Sequence, residues 1–214
     1  MSALVYAERP AAGTPAGLLI LHHGRGADEQ DLLTLADVLD PERLLHVVTP
    51  RAPLQLPGSP GYHWYLVPKV GHPDPDTFTA AHAALADLHD ELFERTGVTP
   101  AKTVLGGFSM GCVMSYALGL DGSRPLPAGI LAFSGFIPTV AGWQPDLPSR
   151  QALDVFIAHG SHDAVIAVDF GREAARRLED GGLHVDYHES EASHHIDPRI
   201  LGAAGTWLHR TLQT

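Results

Sequence analysis

The residues best suited to chemistry stand together at Gly107-Phe108-Ser109-Met110-Gly111. Thr103-Val104-Leu105-Gly106 leads in as a short apolar run, and Cys112-Val113-Met114-Ser115-Tyr116-Ala117-Leu118 follows with a helix-compatible composition. Gly-x-Ser-x-Gly between a strand and a helix makes a turn so sharp that the serine backbone is strained and a side chain at either flanking position would clash. Glycine at 107 and 111 relieves that crowding. The Ser109 hydroxyl then projects above the end of a sheet, at a helix N-terminus whose free N–H groups favour developing negative charge. A serine in an ordinary glycine-rich turn is the competing reading, and the strand before and helix after weaken it.

A serine hydroxyl is a weak nucleophile. It needs a base, and the base needs an acid to orient it. After a serine in this setting the acid comes next along the chain, then the histidine. Asp163 is the best-placed acid, in His159-Gly160-Ser161-His162-Asp163-Ala164-Val165-Ile166, just past the end of a predicted strand, the edge where active sites of parallel sheets collect. Asp154 begins that strand and lies at its wrong end, while Asp169 and Asp186 fall in a predicted helix and a predicted strand. Five of the 14 histidines follow Asp163. His184 and His188 alternate along a strand, and His209 sits deep in the last helix. His194 and His195 both occupy the loop Glu191-Ala192-Ser193-His194-His195-Ile196 at the right edge, and position alone leaves the two level.

The elements that must carry these groups read as alternating strands and helices. Leu18-Leu19-Ile20-Leu21-His22-His23 is a continuous apolar run of the kind buried on both faces. Gly24-Arg25-Gly26-Ala27-Asp28-Glu29 and a helix over 31–39 follow. A dinucleotide fingerprint fails there, because Glu29 stands where G-x-G-x-x-G requires its last glycine. Further strands are expected over 44–49, 103–106, 128–134, 154–160 and 183–189, with helices over 170–178 and 200–212. Asp74-Pro75 caps another helix, along which Phe78, Ala81, Leu85, Leu88 and Leu92 mark one apolar face, and Gly97 ends it. His82 and His89 fall off that stripe and are expected to face solvent. Residues 50–75 form a long proline-rich connection. Its Tyr62, Trp64 and Tyr65 either line an acyl or alcohol pocket or anchor the loop, and Phe136 in the loop over 135–150 is a further pocket candidate. The expectation is a single α/β domain over residues 1–214: three layers, a mostly parallel sheet covered on both faces, and no large cap.

With 25 Asp and Glu against 14 Lys and Arg, the formal charge is −11, which would repel a phosphate backbone and argues against nucleic acid as a partner. Cys112 is the only cysteine, so no intramolecular disulfide can form, and a small buried hydrophobe on a helix is its default reading. The first eight residues lack the basic and apolar segments of a secretory signal, and no stretch approaches the roughly 20 apolar residues that span a bilayer. These features suit a cytoplasmic protein without integral membrane association. The pairs His22-His23, His159/His162 and His194-His195 match no metal-ligand spacing, so no metal or other cofactor is expected.

Taken together, Leu21-His22-His23-Gly24-Arg25-Gly26, the 107–111 elbow, His159-Gly160-x-x-Asp163-x-x-Ile166 and Ser193-His194-His195-Ile196 make the chain resemble the phospholipase/carboxylesterase family of α/β-hydrolases. Arg51-Ala52-Pro53-Leu54 and Tyr62-x-Trp64-Tyr65 resemble that family's substrate-side loop. The family's histidine motif usually reads Gly-His-Glu-Ile. The resemblance therefore assigns the base to His194, with Ser193 in place of glycine and His195 in place of glutamate. It also implies an oxyanion hole from the backbone N–H groups of Arg25 and Met110, leaving the Arg25 side chain free to pair with a local Asp or Glu. His22 departs from the usual strand end. The implied activity is serine-dependent hydrolysis of short- to medium-chain carboxylic esters, with thioesterase or lysophospholipase action on the same triad as the alternative. A dienelactone-hydrolase-like enzyme would place cysteine where Ser109 stands. An inert binding module would be expected to lack part of the constellation. The resemblance also makes a homodimer plausible.

Overall fold

The structure is a computed structural model and describes residues 4–213. Residues 1–3 and 214, at the ends of the expected domain, lie outside the described residues. Seven strands form the main sheet: β1 (Tyr6–Arg9), β2 (Gly17–His22), β3 (Leu45–Pro50), β6 (Thr103–Phe108), β7 (Gly129–Phe133), β8 (Asp154–Gly160) and β9 (His184–Ser190). Their spatial order is β1-β3-β2-β6-β7-β8-β9. Only β1 runs antiparallel, pairing Tyr6 with Pro50 and Arg9 with Val47. A two-residue ladder, β4 (Leu54–Gln55) with β5 (Tyr62–His63), sits in the proline-rich connection. The five α-helices are α1 (Leu33–Leu39), α2 (Pro75–Thr96), α3 (Met110–Gly119), α4 (Val168–Asp180) and α5 (Leu201–Gln213).

The strand period of two explains the layers. Leu18, Ile20 and Leu105 point to one face, into a core built with α2 and α3. Leu19, Leu21, Val47, Val104 and Phe156 point to the other, against α1 and α5. Ile130, Val155 and Ile157 extend the first face under α3 and α4. Strands buried on both faces must be apolar at successive positions, hence the unbroken run in β2. This is the expected three-layer α/β architecture.

At the start of α2, Asp74 Oδ1 accepts a 3.0 Å bond from the Thr77 amide and Pro75 opens the helix. At its end Gly97 adopts φ 70°, the left-handed conformation glycine takes without penalty. The expectation for His82 and His89 is overturned. His89 is 3% exposed and stacks on His22 with ring centroids 5.7 Å apart. His82 lies beside Phe78, with its Nε2 3.2 Å from Asp121. Positions 78, 82, 85, 89 and 92 advance by four and three, so His89 shares the buried stripe and His82 lies half-buried along it. Counting apolar residues alone hides them.

Chain order reverses between β2 and β6: β3 lies beyond β2 on one side and β6 on the other. In open parallel sheets such a switch point leaves a crevice at the carboxyl ends of the strands. The segment after β2 begins there with His23 and Gly24, and the segment after β6 begins with Ser109.

Candidate active site

Register brings His22 of β2 beside Gly107 of β6. Ser109 follows at φ 55° and ψ −119°, a strained backbone for any residue but glycine. The surroundings hold it there. Its N–H donates to the Phe133 carbonyl at 2.9 Å. A Cβ on Gly107 would come within 2.5 Å of the Gly111 carbonyl carbon, and one on Gly111 would overlap the His22 carbonyl. The two glycines therefore permit close approach of β2, β6 and α3.

Ser109 Oγ lies 2.9 Å from His194 Nε2 and is placed to donate to it. His194 Nδ1–H donates to Asp163 Oδ2 at 2.6 Å. The other carboxylate oxygen of Asp163 accepts from the amides of Val165 and Ile166, both at 2.8 Å. Burial alone would raise the Asp163 pKa, but the bonds from His194, Ile166 and Val165 outweigh it and hold the carboxyl below its usual range. The His194 ring also rests on Phe108, centroids 4.9 Å apart. His195, its neighbour, is exposed, and its Nδ1 reaches only Ser193 Oγ. Of the two histidines, the structure brings His194 to Ser109 and Asp163.

Met110 is the first residue of α3, so its N–H is among those with no intrahelical acceptor. The Arg25 N–H likewise has no hydrogen-bond partner among the described residues, while Gly26 donates to Tyr62 and Ala27 to Gly24. Both residues line one cavity with Ser109 and His194. A Cβ on Gly24 would sit 3.5 Å from that of Ser109, which measures how closely this loop approaches the hydroxyl.

Several groups that sequence reasoning left without a role form the scaffold. His23 Nδ1–H donates to the Gly24 carbonyl and its Nε2 accepts from Ala52, tying the Gly24–Arg25 turn to the segment after β3. His22 Nδ1 bonds Ser115 Oγ at 2.8 Å, and Ser115 in turn donates to the Gly111 carbonyl, so the end of β2 grips the first turn of α3. His159 Nε2–H donates to the Ile166 carbonyl at 2.8 Å and lies 3.5 Å from Asp163 Oδ2, bracing the acid loop. Two histidines ending an otherwise apolar strand were the one visible signal.

The cavity measures about 930 Å³, and Tyr65, Leu66, Val67, Phe136 and Ile166 are among the residues that line it. Tyr65 and Phe136 thus line the cavity that holds Ser109. Tyr62 and Trp64 do not line the cavity. Trp64 is fully buried, donating Nε1–H to the His23 carbonyl at 2.9 Å, so it anchors the connection. Tyr62 lies beneath the Arg51 guanidinium. Nor does Arg25 pair with a local acid: Arg51 takes Glu29 in a two-pronged bond, and Asp28 accepts from the Gln30 amide. Among the described residues no group of three or more His, Cys, Asp or Glu is arranged to hold a metal ion, and no helix is long and apolar enough to cross a membrane.

A serine on a strained turn, a histidine bonded to it, and a carboxylate behind the histidine define the serine-hydrolase class of α/β proteins. The phospholipase/carboxylesterase family model matches residues 8–212, and the chain belongs to that family. It is 26% identical to acyl-protein thioesterase 1 of Emericella nidulans, over 95% of this chain and 93% of the relative. Lysophospholipase-like protein 1 of Mus musculus is 24% identical over 93% and 88%. Among solved structures, the esterase PE8 superposes with a TM-score of 0.81 at 30% identity, covering 97% of this chain and 99% of the other. The protein is a serine hydrolase.

Proposed function

We propose that the protein is a serine carboxylesterase that hydrolyses short- to medium-chain carboxylic esters through an acyl-enzyme on Ser109. The observation that carries this reading is the unbroken line from Ser109 Oγ through His194 to Asp163, at 2.9 Å and 2.6 Å. His194 Nε2 takes the hydroxyl proton as Oγ adds to the ester carbonyl. Asp163, ionised and acceptor-only, keeps the imidazole in the Nδ1–H tautomer and stabilises the imidazolium. The Met110 and Arg25 amides donate to the developing oxyanion, where losing one donor costs about 3–4 kcal/mol. The imidazolium then gives its proton to the leaving alcohol, and water repeats the sequence on the acyl-enzyme. The apolar wall formed by Tyr65, Leu66, Val67 and Phe136 suits an acyl chain.

The same machinery would cleave a thioester or a lysophospholipid. That second reading is supported by the names of the thioesterase and lysophospholipase-like relatives. A p-nitrophenyl ester series from acetate to palmitate, run beside an S-acyl peptide and a lysophospholipid, separates the two. The proposed reading predicts turnover of the shorter esters, with kcat lowered roughly 10⁴-fold or more in Ser109→Ala. Selective turnover of the thioester, or of the lysophospholipid only when its acyl chain is long, would replace it with the second reading.

A further inference from the structure

Most arginines of the described chain are held by carboxylates. Arg9 pairs with Asp40, Arg51 with Glu29, Arg95 with Glu8, Arg124 with Asp90, Arg172 with Glu189 and Arg199 with Asp197. Arg25 is not. Its side chain is exposed, has no hydrogen bond or ion pair among the described residues, and stands in the wall of the cavity that holds Ser109 and His194. In a chain of formal charge −11 there is no shortage of acids to neutralise it. The nearby ones are otherwise engaged, and Asp31, which also lines the cavity, does not pair with it. The charge of Arg25 reaches His63, another lining residue, whose pKa is lowered by burial first and by that charge in addition.

The cavity lining is thus chemically mixed. Tyr65, Leu66, Val67 and Phe136 offer apolar surface, whereas the segment after β2 contributes the unpaired Arg25 to the lining of the same cavity as the nucleophile. We propose that Arg25 binds an anionic group, a carboxylate or a phosphate, carried by the substrate, which is therefore an ester with one apolar end and one anionic end. This rests on the esterase reading above. A guanidinium presents a planar fork of donors that either oxyanion can accept bidentately. Because the side chain belongs to the residue whose amide faces the ester carbonyl, an anion held there fixes the distance between that group and the scissile bond. Positioning of this kind acts on the reacting geometry as well as on affinity.

The test compares two matched pairs on the full-length protein: O-hexanoyl glycolate against its methyl ester, and hexanoyl glycerol 3-phosphate against hexanoyl glycerol. Hexanoate release gives kcat/KM for each, and the ratio of anionic to neutral substrate within each variant cancels any general change in activity. Wild type is expected to favour the anionic member of at least one pair by roughly tenfold. The glycolate pair reports a carboxylate site and the glycerol pair a phosphate site. That ratio should fall to about one or below in Arg25→Gln, survive largely in Arg25→Lys, and shrink as salt rises from about 0.05 M to about 0.5 M. A wild-type ratio at or below one in both pairs overturns the proposal. So does a preference that persists in Arg25→Gln, or a loss in that variant equal for both members of each pair. Failure of wild type to release hexanoate even from the neutral esters would instead remove the esterase reading, and this one with it.

Discussion

Two adjacent imidazoles, His194 and His195, sit in one loop and reach entirely different partners. His194 bridges Ser109 and Asp163, while the His195 ring hydrogen-bonds Ser193. Replacing each with alanine should separate them sharply. His194→Ala is expected to lower ester-hydrolysis kcat by roughly 10³-fold or more, and His195→Ala to leave it within about threefold of wild type, since surface changes away from such contacts are nearly neutral. Steady-state kinetics on one p-nitrophenyl ester decide it. Met110 illustrates a residue used twice: its amide is free at the start of α3, and its sulfur accepts from the Trp64 backbone N–H. That contact couples the buried tryptophan of the proline-rich connection to the catalytic turn.

At the level of elements, the junction of β2, β6 and α3 allows no added bulk. Gly111→Ala would drive a methyl group into the His22 carbonyl, so the variant should lose about 2–4 kcal/mol in urea unfolding or fail to fold. The same junction is sensitive to acid. His22 is wholly buried, and burial, with a contribution from the charge of His23, pushes its pKa down to about 3. His89, stacked on it, is also held well below its usual value, chiefly by burial. The unfolded chain therefore binds protons that the folded chain refuses. Stability is full above pH about 6.5 and declines as pH falls below it, by roughly 2 kcal/mol at pH 5 for His22 alone, with His89 adding to the loss in the same direction. Denaturant titrations at pH 7.5 and pH 5 should show that loss. Equal stability at the two pH values would mean these imidazoles stay accessible to protons.

Across the whole molecule, the edge strand β1 is fastened by a buried ion pair. Arg9 donates to Asp40, which is fully buried and also accepts from the amides of Leu44 and Leu45. Arg9→Met would leave that carboxylate uncompensated and should cost about 3–5 kcal/mol. Arg95→Ala, which removes a largely exposed pair with Glu8, should cost under about 1 kcal/mol. Urea denaturation of the two variants tests the contrast. The central strands were legible because burial on both faces demands apolar runs such as 18–21. By contrast β1 was not, since Tyr-Ala-Glu-Arg has no strand signal until it meets β3. The α2 helix was readable from Asp74 to Gly97, yet its histidines were misplaced because an imidazole can be buried against another imidazole without looking apolar. At the site, the turn around Ser109 announced itself through its glycines. The burial of Trp64 did not, because its acceptor, the His23 carbonyl, lies 41 positions away along the chain. The role of a buried polar ring depends on such distant partners.

The proposed esterase activity stands on Ser109 acting as a nucleophile activated through His194. Labelling with a fluorophosphonate probe, read by intact mass and by sequencing of the modified peptide, tests it most directly. A single adduct on Ser109 is expected in wild type, and little or none in His194→Ala over the same time. An unlabelled wild type, an adduct on another residue, or equal labelling rates in the two proteins would contradict it.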